Sequence, residues 1–80
     1  MDKVSVRFYA AARDAAGSVE IQVNPSSLEK LLLGISQGNP RLSQVLERCS
    51  FLVDGSICHD RDMAISAGST VDVLPPFAGG

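Results

Sequence analysis

The sequence predicts an α+β domain: a mixed sheet of about five strands, with one main helix and a second short helix on one face. Three observations predict it. Stretches near both ends, and another around residue 20, alternate apolar and polar residues with the period of a strand. Residues 28–35 switch to the period of a helix. Asp54-Gly55, a hairpin dipeptide, stands between two further short runs.

The first strand is KVSVRFY. Val4, Val6 and Phe8 face one way; Lys3, Ser5, Arg7 and Tyr9 face the other. AAARDAAG breaks the alternation and ends in Gly17, so it reads as a turn. SVEIQVN alternates again, with Val19, Ile21 and Val23 on the buried side, and the two strands read as a hairpin. Leu28, Leu31, Leu32 and Ile35 then form the stripe of a helix lying on a core. Ser26 with Glu29 makes a capping box, and Gly38 suits the stop. Asn39 and Pro40 open a shorter helix whose stripe is Leu42, Val45, Leu46 and Cys49. SFLVDGSICHD gives two short strands, and DRDMAISAGS a turn-rich connection. TVDVL is the last strand, with Val71 and Val73 inward and Thr70, Asp72 and Leu74 outward.

In the simplest topology the first and last strands lie side by side and parallel at the centre, and the helix crosses the sheet as a right-handed connection. That is a β-grasp, or ubiquitin-like, arrangement, although periodicity alone does not fix it. The domain covers residues 1–74, and residues 75–80 form an extended tail ending in Gly-Gly.

Composition narrows the function. The chain has 80 residues, 45% hydrophobic and 20% charged, with a net charge of −2. Its basic residues are scattered, whereas nucleic-acid binding needs a concentrated basic footprint. No apolar run approaches a membrane span or a signal peptide, so the expected compartment is the cytoplasm. Cys49 and Cys58 lack the spacing of a metal site or a disulfide framework and read as free thiols. His59 follows Cys58, but adjacent strand residues point to opposite faces, so the two are not expected to meet. Arg13 and Asp14 read as solvated turn residues. No metal and no bound cofactor is expected.

The chain ends in LPPFAGG. Pro75 and Pro76 have no N–H for a ladder and favour polyproline II, so the sheet stops at Leu74 and the chain leaves it stiffly. Six extended residues reach roughly 18–20 Å. Gly79 and Gly80 give a thread of minimum cross-section, able to enter a tunnel in another protein. The group it would deliver is the terminal carboxylate. A carboxylate needs activation, most simply as an acyl adenylate, and the chain has no Gly-rich phosphate loop to perform it. The domain therefore reads as substrate and carrier, not catalyst. Strand parity adds a docking face beside the tail: Tyr9 and Leu74 point away from the helix, Ile57 extends the patch, and Phe77 supplies an aromatic anchor.

LPPFAGG on a short ubiquitin-like chain resembles the ending of the ubiquitin-like sulfur-carrier proteins, and within them of the small subunits of molybdopterin synthase. AARDAAG resembles the loop after the family's first strand, LVDGSI its central hairpin, and AISAGSTVDVL the approach to its tail. Ser69 departs from the acidic residue the family often has after the turn glycine. The resemblance implies that an E1-like adenylating enzyme uses ATP to activate the Gly80 carboxylate, which then becomes a thiocarboxylate. It implies that the tail, through Pro75, Pro76, Phe77, Ala78 and Gly79, enters the large synthase subunit of an expected heterotetramer. There the sulfur passes to precursor Z (cyclic pyranopterin monophosphate) in molybdenum cofactor biosynthesis. Two alternatives stay open: a carrier for thiamine or cysteine sulfur, and a modifier conjugated to lysines or a plain interaction module. The segment NPRLSQVLERC favours the first reading over the shorter thiamine carriers.

Overall fold

A computed structural model of the chain describes residues 2–76. Phe77, Ala78, Gly79 and Gly80 lie outside the described residues. The elements run β1 (Val4–Phe8), α1 (Ala10–Ala16), β2 (Glu20–Val23), β3 (Ser26–Ser27), α2 (Leu28–Ser36), α3 (Pro40–Leu46), β4 (Ser50–Val53), β5 (Ser56–Ile57), β6 (Ala64–Ile65) and β7 (Thr70–Leu74). Five strands form one sheet in the order β2-β1-β7-β4-β5, and β3 and β6 form a separate two-stranded ladder. β1 and β7 are parallel neighbours at the centre, with Ser5 opposite Thr70 and Phe8 opposite Val73. The other pairs in the sheet are antiparallel. This is the expected ubiquitin-like β-grasp.

The core lies between the sheet and the helices. Val4, Val6, Phe8, Val71 and Val73 are each no more than 1% exposed. Leu28, Leu31 and Leu32 of α2 and Leu42 and Leu46 of α3 meet them from the other side. Ile35 and Val45 complete the helical stripes half-buried; α3 stops at Leu46, so Cys49 packs half-buried beyond its end and not on its stripe. Asp54 and Gly55 both take positive φ, at 50° and 85°, as a two-residue hairpin between twisted strands requires. The Asp54 carboxylate also accepts the Thr70 N–H at 2.9 Å, tying the hairpin to the start of β7.

Three local expectations are corrected. Between β1 and β2 the chain forms a helix, α1, where a turn was expected, so three helices are present. Only Ala12 of α1 is buried, so there is no apolar stripe to see; alanine's high helix propensity and Gly17 at φ 74° set its extent. The chain enters α1 through Ala10 at φ 51°, a left-handed setting that costs an L-residue about 1 kcal/mol. The cap of α2 is Ser27, whose side chain accepts from the Lys30 N–H at 3.2 Å, and not Ser26. Ser26 is held extended opposite Ile65. The first free N–H groups of α2, on Leu28 and Glu29, donate to the carbonyls of Met63 and Arg61, so a distant loop completes the cap. Val19 lies before β2 and is 64% exposed instead of buried.

The Asn39 cap is as expected, and it does more. Its Oδ1 accepts the Leu42 N–H at 3.0 Å while its Nδ2 donates to the Ala15 carbonyl at 2.9 Å. One side chain thus caps α3 and fastens it to the end of α1.

Candidate functional site

The open face of the sheet, opposite the helices, follows from the register. Arg7 stands opposite Asp72 and Glu20. Leu52 stands opposite Asp72 and Ile57. Leu74 stands opposite Ser50, and Tyr9 extends the outward parity of β1. One row across the sheet therefore reads Glu20, Arg7, Asp72, Leu52, Ile57, with Tyr9 and Leu74 one step nearer the tail. Ile57 is 57% exposed; Tyr9, Leu52 and Leu74 are half-buried. Tyr9, Ile57 and Leu74 thus share one face, at the end of the sheet where β7 leaves it. Pro75 is buried against the body and Pro76 is exposed. Phe77, Ala78, Gly79 and Gly80, named from the sequence, lie outside the described residues.

The centre of this face was not read from the sequence. Asp72, on an outward position, is 8% exposed. Arg7 covers it, with Nε 2.7 Å from Oδ1 and Nη2 3.1 Å from Oδ2. The Tyr9 hydroxyl lies 3.4 Å from the same Oδ1. The hydrogen bond and the charge of Asp72 raise the Arg7 guanidinium above its already high range. A bidentate clamp therefore joins the two central strands just before the tail. The signal was present: opposite charges on outward positions of two strands expected to be neighbours.

The two cysteines and His59 do not come together in a hydrogen-bonded group. Cys49 packs its Sγ 3.2 Å from the Val45 carbonyl, and burial pushes its thiol up to about 11, far from a reactive thiolate at neutral pH. Cys58 is also free, and its Sγ sits 3.4 Å from Met63 Sδ, not against His59. A shallow cleft of about 190 Å³ beside β4 and β5 is lined by Cys49, Phe51, Ile57, Cys58, His59 and Arg61, and Arg61 stacks 5.0 Å over the Phe51 ring. Among the described residues no group of His, Cys, Asp and Glu is placed to hold a metal ion. No described helix is long and apolar enough to cross a membrane.

The ThiS family model matches residues 6–80, from within β1 to the last glycine. The chain belongs to the ThiS family. Among curated proteins none matches the chain significantly. Among solved structures, this ThiS-family chain is similar to small archaeal modifier protein 1 from Haloferax volcanii, at TM-score 0.80 and 21% identity over 98% of this chain and 99% of that one. It is similar to the same-named protein from Methanosarcina acetivorans, at TM-score 0.83 and 22% identity over 100% and 98%. It is also similar to a chain in the complex of subunits 1 and 2 of molybdopterin-converting factor from Helicobacter pylori, at TM-score 0.75 and 22% identity over 98% and 99%. At these identities the likeness establishes the ubiquitin-like fold.

Proposed function

We propose that this chain is the small, sulfur-carrying subunit of molybdopterin synthase. The observation that carries the reading is a family match that runs through Gly79 and Gly80, on a fold whose last strand, β7, is central in the sheet and ends at Leu74. An activating enzyme condenses the Gly80 carboxylate with ATP, releasing pyrophosphate and leaving an acyl adenylate. A sulfide equivalent attacks the acyl carbon, a C–S bond forms, and AMP leaves. The thiocarboxylate is ionised near neutrality and nucleophilic. Carried on the tail into the large subunit, its sulfur attacks a carbon of precursor Z, and a C–S bond forms as a C–O bond of the precursor breaks and the oxygen leaves. Water then cleaves the acyl C–S bond, leaving the sulfur on the precursor and restoring the Gly80 carboxylate. In this reading the chain's part is reach, from its tail, and docking, from the open face of the sheet. A neighbour solved together with a second molybdopterin-converting subunit supports this choice of pathway. The test is intact mass spectrometry of the chain after incubation with ATP, a sulfur source and its own activating enzyme, followed by conversion of precursor Z with the large subunit. A carrier gains the mass of one oxygen-to-sulfur exchange and then loses it to the precursor.

A second reading, a modifier joined to lysines, draws support from the likeness to two small archaeal modifier proteins. It shares the adenylation step and differs in the acceptor. Ladders of conjugates detected with a tail antibody in cells would favour it.

The docking face has its own expected result. Leu74, half-buried at the tail root, and Phe77 are apolar anchors. Leu74→Ala and Phe77→Ala should each weaken binding to the large subunit or the activating enzyme by roughly 1–3 kcal/mol. The melting temperature should stay close to the parent's. Unchanged calorimetric titrations of both variants with both partners would place the interface elsewhere.

A further inference from the structure

A docking face is cheapest to cover when its centre is apolar, yet here the centre is an ion pair. Its two charges are unequally exposed: 45% of the Arg7 side chain remains accessible against 11% of Asp72. Both oxygens of Asp72 are occupied, Oδ1 by Arg7 Nε and Oδ2 by Arg7 Nη2. A guanidinium carries five N–H donors, so those not aimed at Asp72 remain for a partner. Glu20, opposite Arg7 on the edge strand, is engaged by Gln22 Nε2 at 2.9 Å. What the face offers at its middle is therefore a clamped guanidinium with N–H donors to spare, its charge shared with Asp72 and more weakly with Glu20, bordered by Leu52, Ile57 and Leu74.

Covering this face removes water from those donors, and each must be answered or its desolvation is lost outright. A purely apolar partner surface would leave them unpaired. A basic one would repel them. A carboxylate matches the planar fork in geometry and charge. Asp72, whose Oδ1 also accepts from the Tyr9 hydroxyl, already holds the guanidinium in place, so little side-chain freedom remains to be lost on binding.

We propose that Arg7, held by Asp72, is the specificity-determining residue of this face and takes an Asp or Glu carboxylate set in an apolar patch of the activating enzyme that receives the tail. This rests on the reading that the tail is activated by such an enzyme, a step common to the carrier and the modifier. The test is calorimetric titration of the full chain with the activating enzyme of its own organism at two salt concentrations. The double variant Arg7→Leu/Asp72→Leu replaces the pair with apolar side chains, a change that folded proteins commonly tolerate. It should melt near the parent, bind roughly ten- to a hundredfold more weakly, and lose part of the salt dependence. Equal affinity and equal salt dependence in a folded double variant overturn the assignment. Should that variant fail to fold, Arg7→Gln, which keeps a donor toward Asp72, carries the same outcomes. A parent chain that neither binds the enzyme nor gains sulfur overturns the functional reading itself, a result distinct from a parent that binds and a variant that binds equally.

Discussion

Deleting Gly80 is expected to abolish sulfur loading while leaving the melting temperature unchanged. Among the described residues the last strand stops at Leu74 and the last buried residue is Pro75. The proposed chemistry, by contrast, sits on the carboxylate that the deletion removes. Cys49 is a packed thiol with a raised pKa, and the chain has no phosphate-binding loop to activate any other carboxylate. Adding a residue after Gly80 should have the same effect, because the carboxyl carbon to be adenylated would then be locked in a peptide bond. Gly79→Val should fall close behind, since a β-branched side chain widens and stiffens the thread where it must pass into a partner. Intact mass after incubation with ATP, a sulfur source and the activating enzyme reads all three. Full sulfur loading of a chain with its extension still attached would end the carrier reading; a large drop in melting temperature would mean that the tail is part of the fold.

How much of this was legible depended on the range of the interactions involved. β1 and β7 were clear because Val4, Val6 and Phe8, like Val71 and Val73, alternate strictly and all go inward. α2 and α3 were clear because large aliphatic residues recur at helical spacing. α1 was hidden because a helix of alanines that buries only Ala12 has propensity without pattern. The shift of the α2 cap from Ser26 to Ser27 comes from β6 and the 61–63 loop, more than thirty residues downstream in sequence. No local window contains that information. The candidate site divides the same way. Tyr9 and Leu74 were placed on one face by parity alone; the facing of Ile57 needed the register of the hairpin, with Ile57 opposite Leu52. The burial of Asp72 depends on Arg7, sixty-five residues away, and strand parity gives a direction, not the height of the neighbours that cover it.

Those neighbours are set by the central strands, and the core beneath them carries the largest expected effect on stability. Phe8 is 1% exposed and lies opposite Val73, which in turn lies opposite Phe51. Ala12 closes over the same cluster from α1. Phe8→Ala removes a ring from the middle of the only core such a short chain can build, and a cavity of that kind costs about 3–5 kcal/mol. A domain of 80 residues has on the order of 5–10 kcal/mol to lose, so the variant should sit near its folding threshold, with a melting temperature lower by roughly 15–30 °C. Phe8→Leu keeps most of the volume and should lose less than half as much. Phe8 faces away from the docking side, so its effect on sulfur loading should come only through the folded fraction. Loading by Phe8→Ala should therefore recover toward the parent's rate on cooling, in step with the far-UV circular dichroism signal. A melting temperature within a few degrees of the parent's would show that the core is not centred on this ring. Full recovery of structure without recovery of loading would show that Phe8 shapes the tail root directly, through the strand pair that Arg7 and Asp72 clamp on the opposite face.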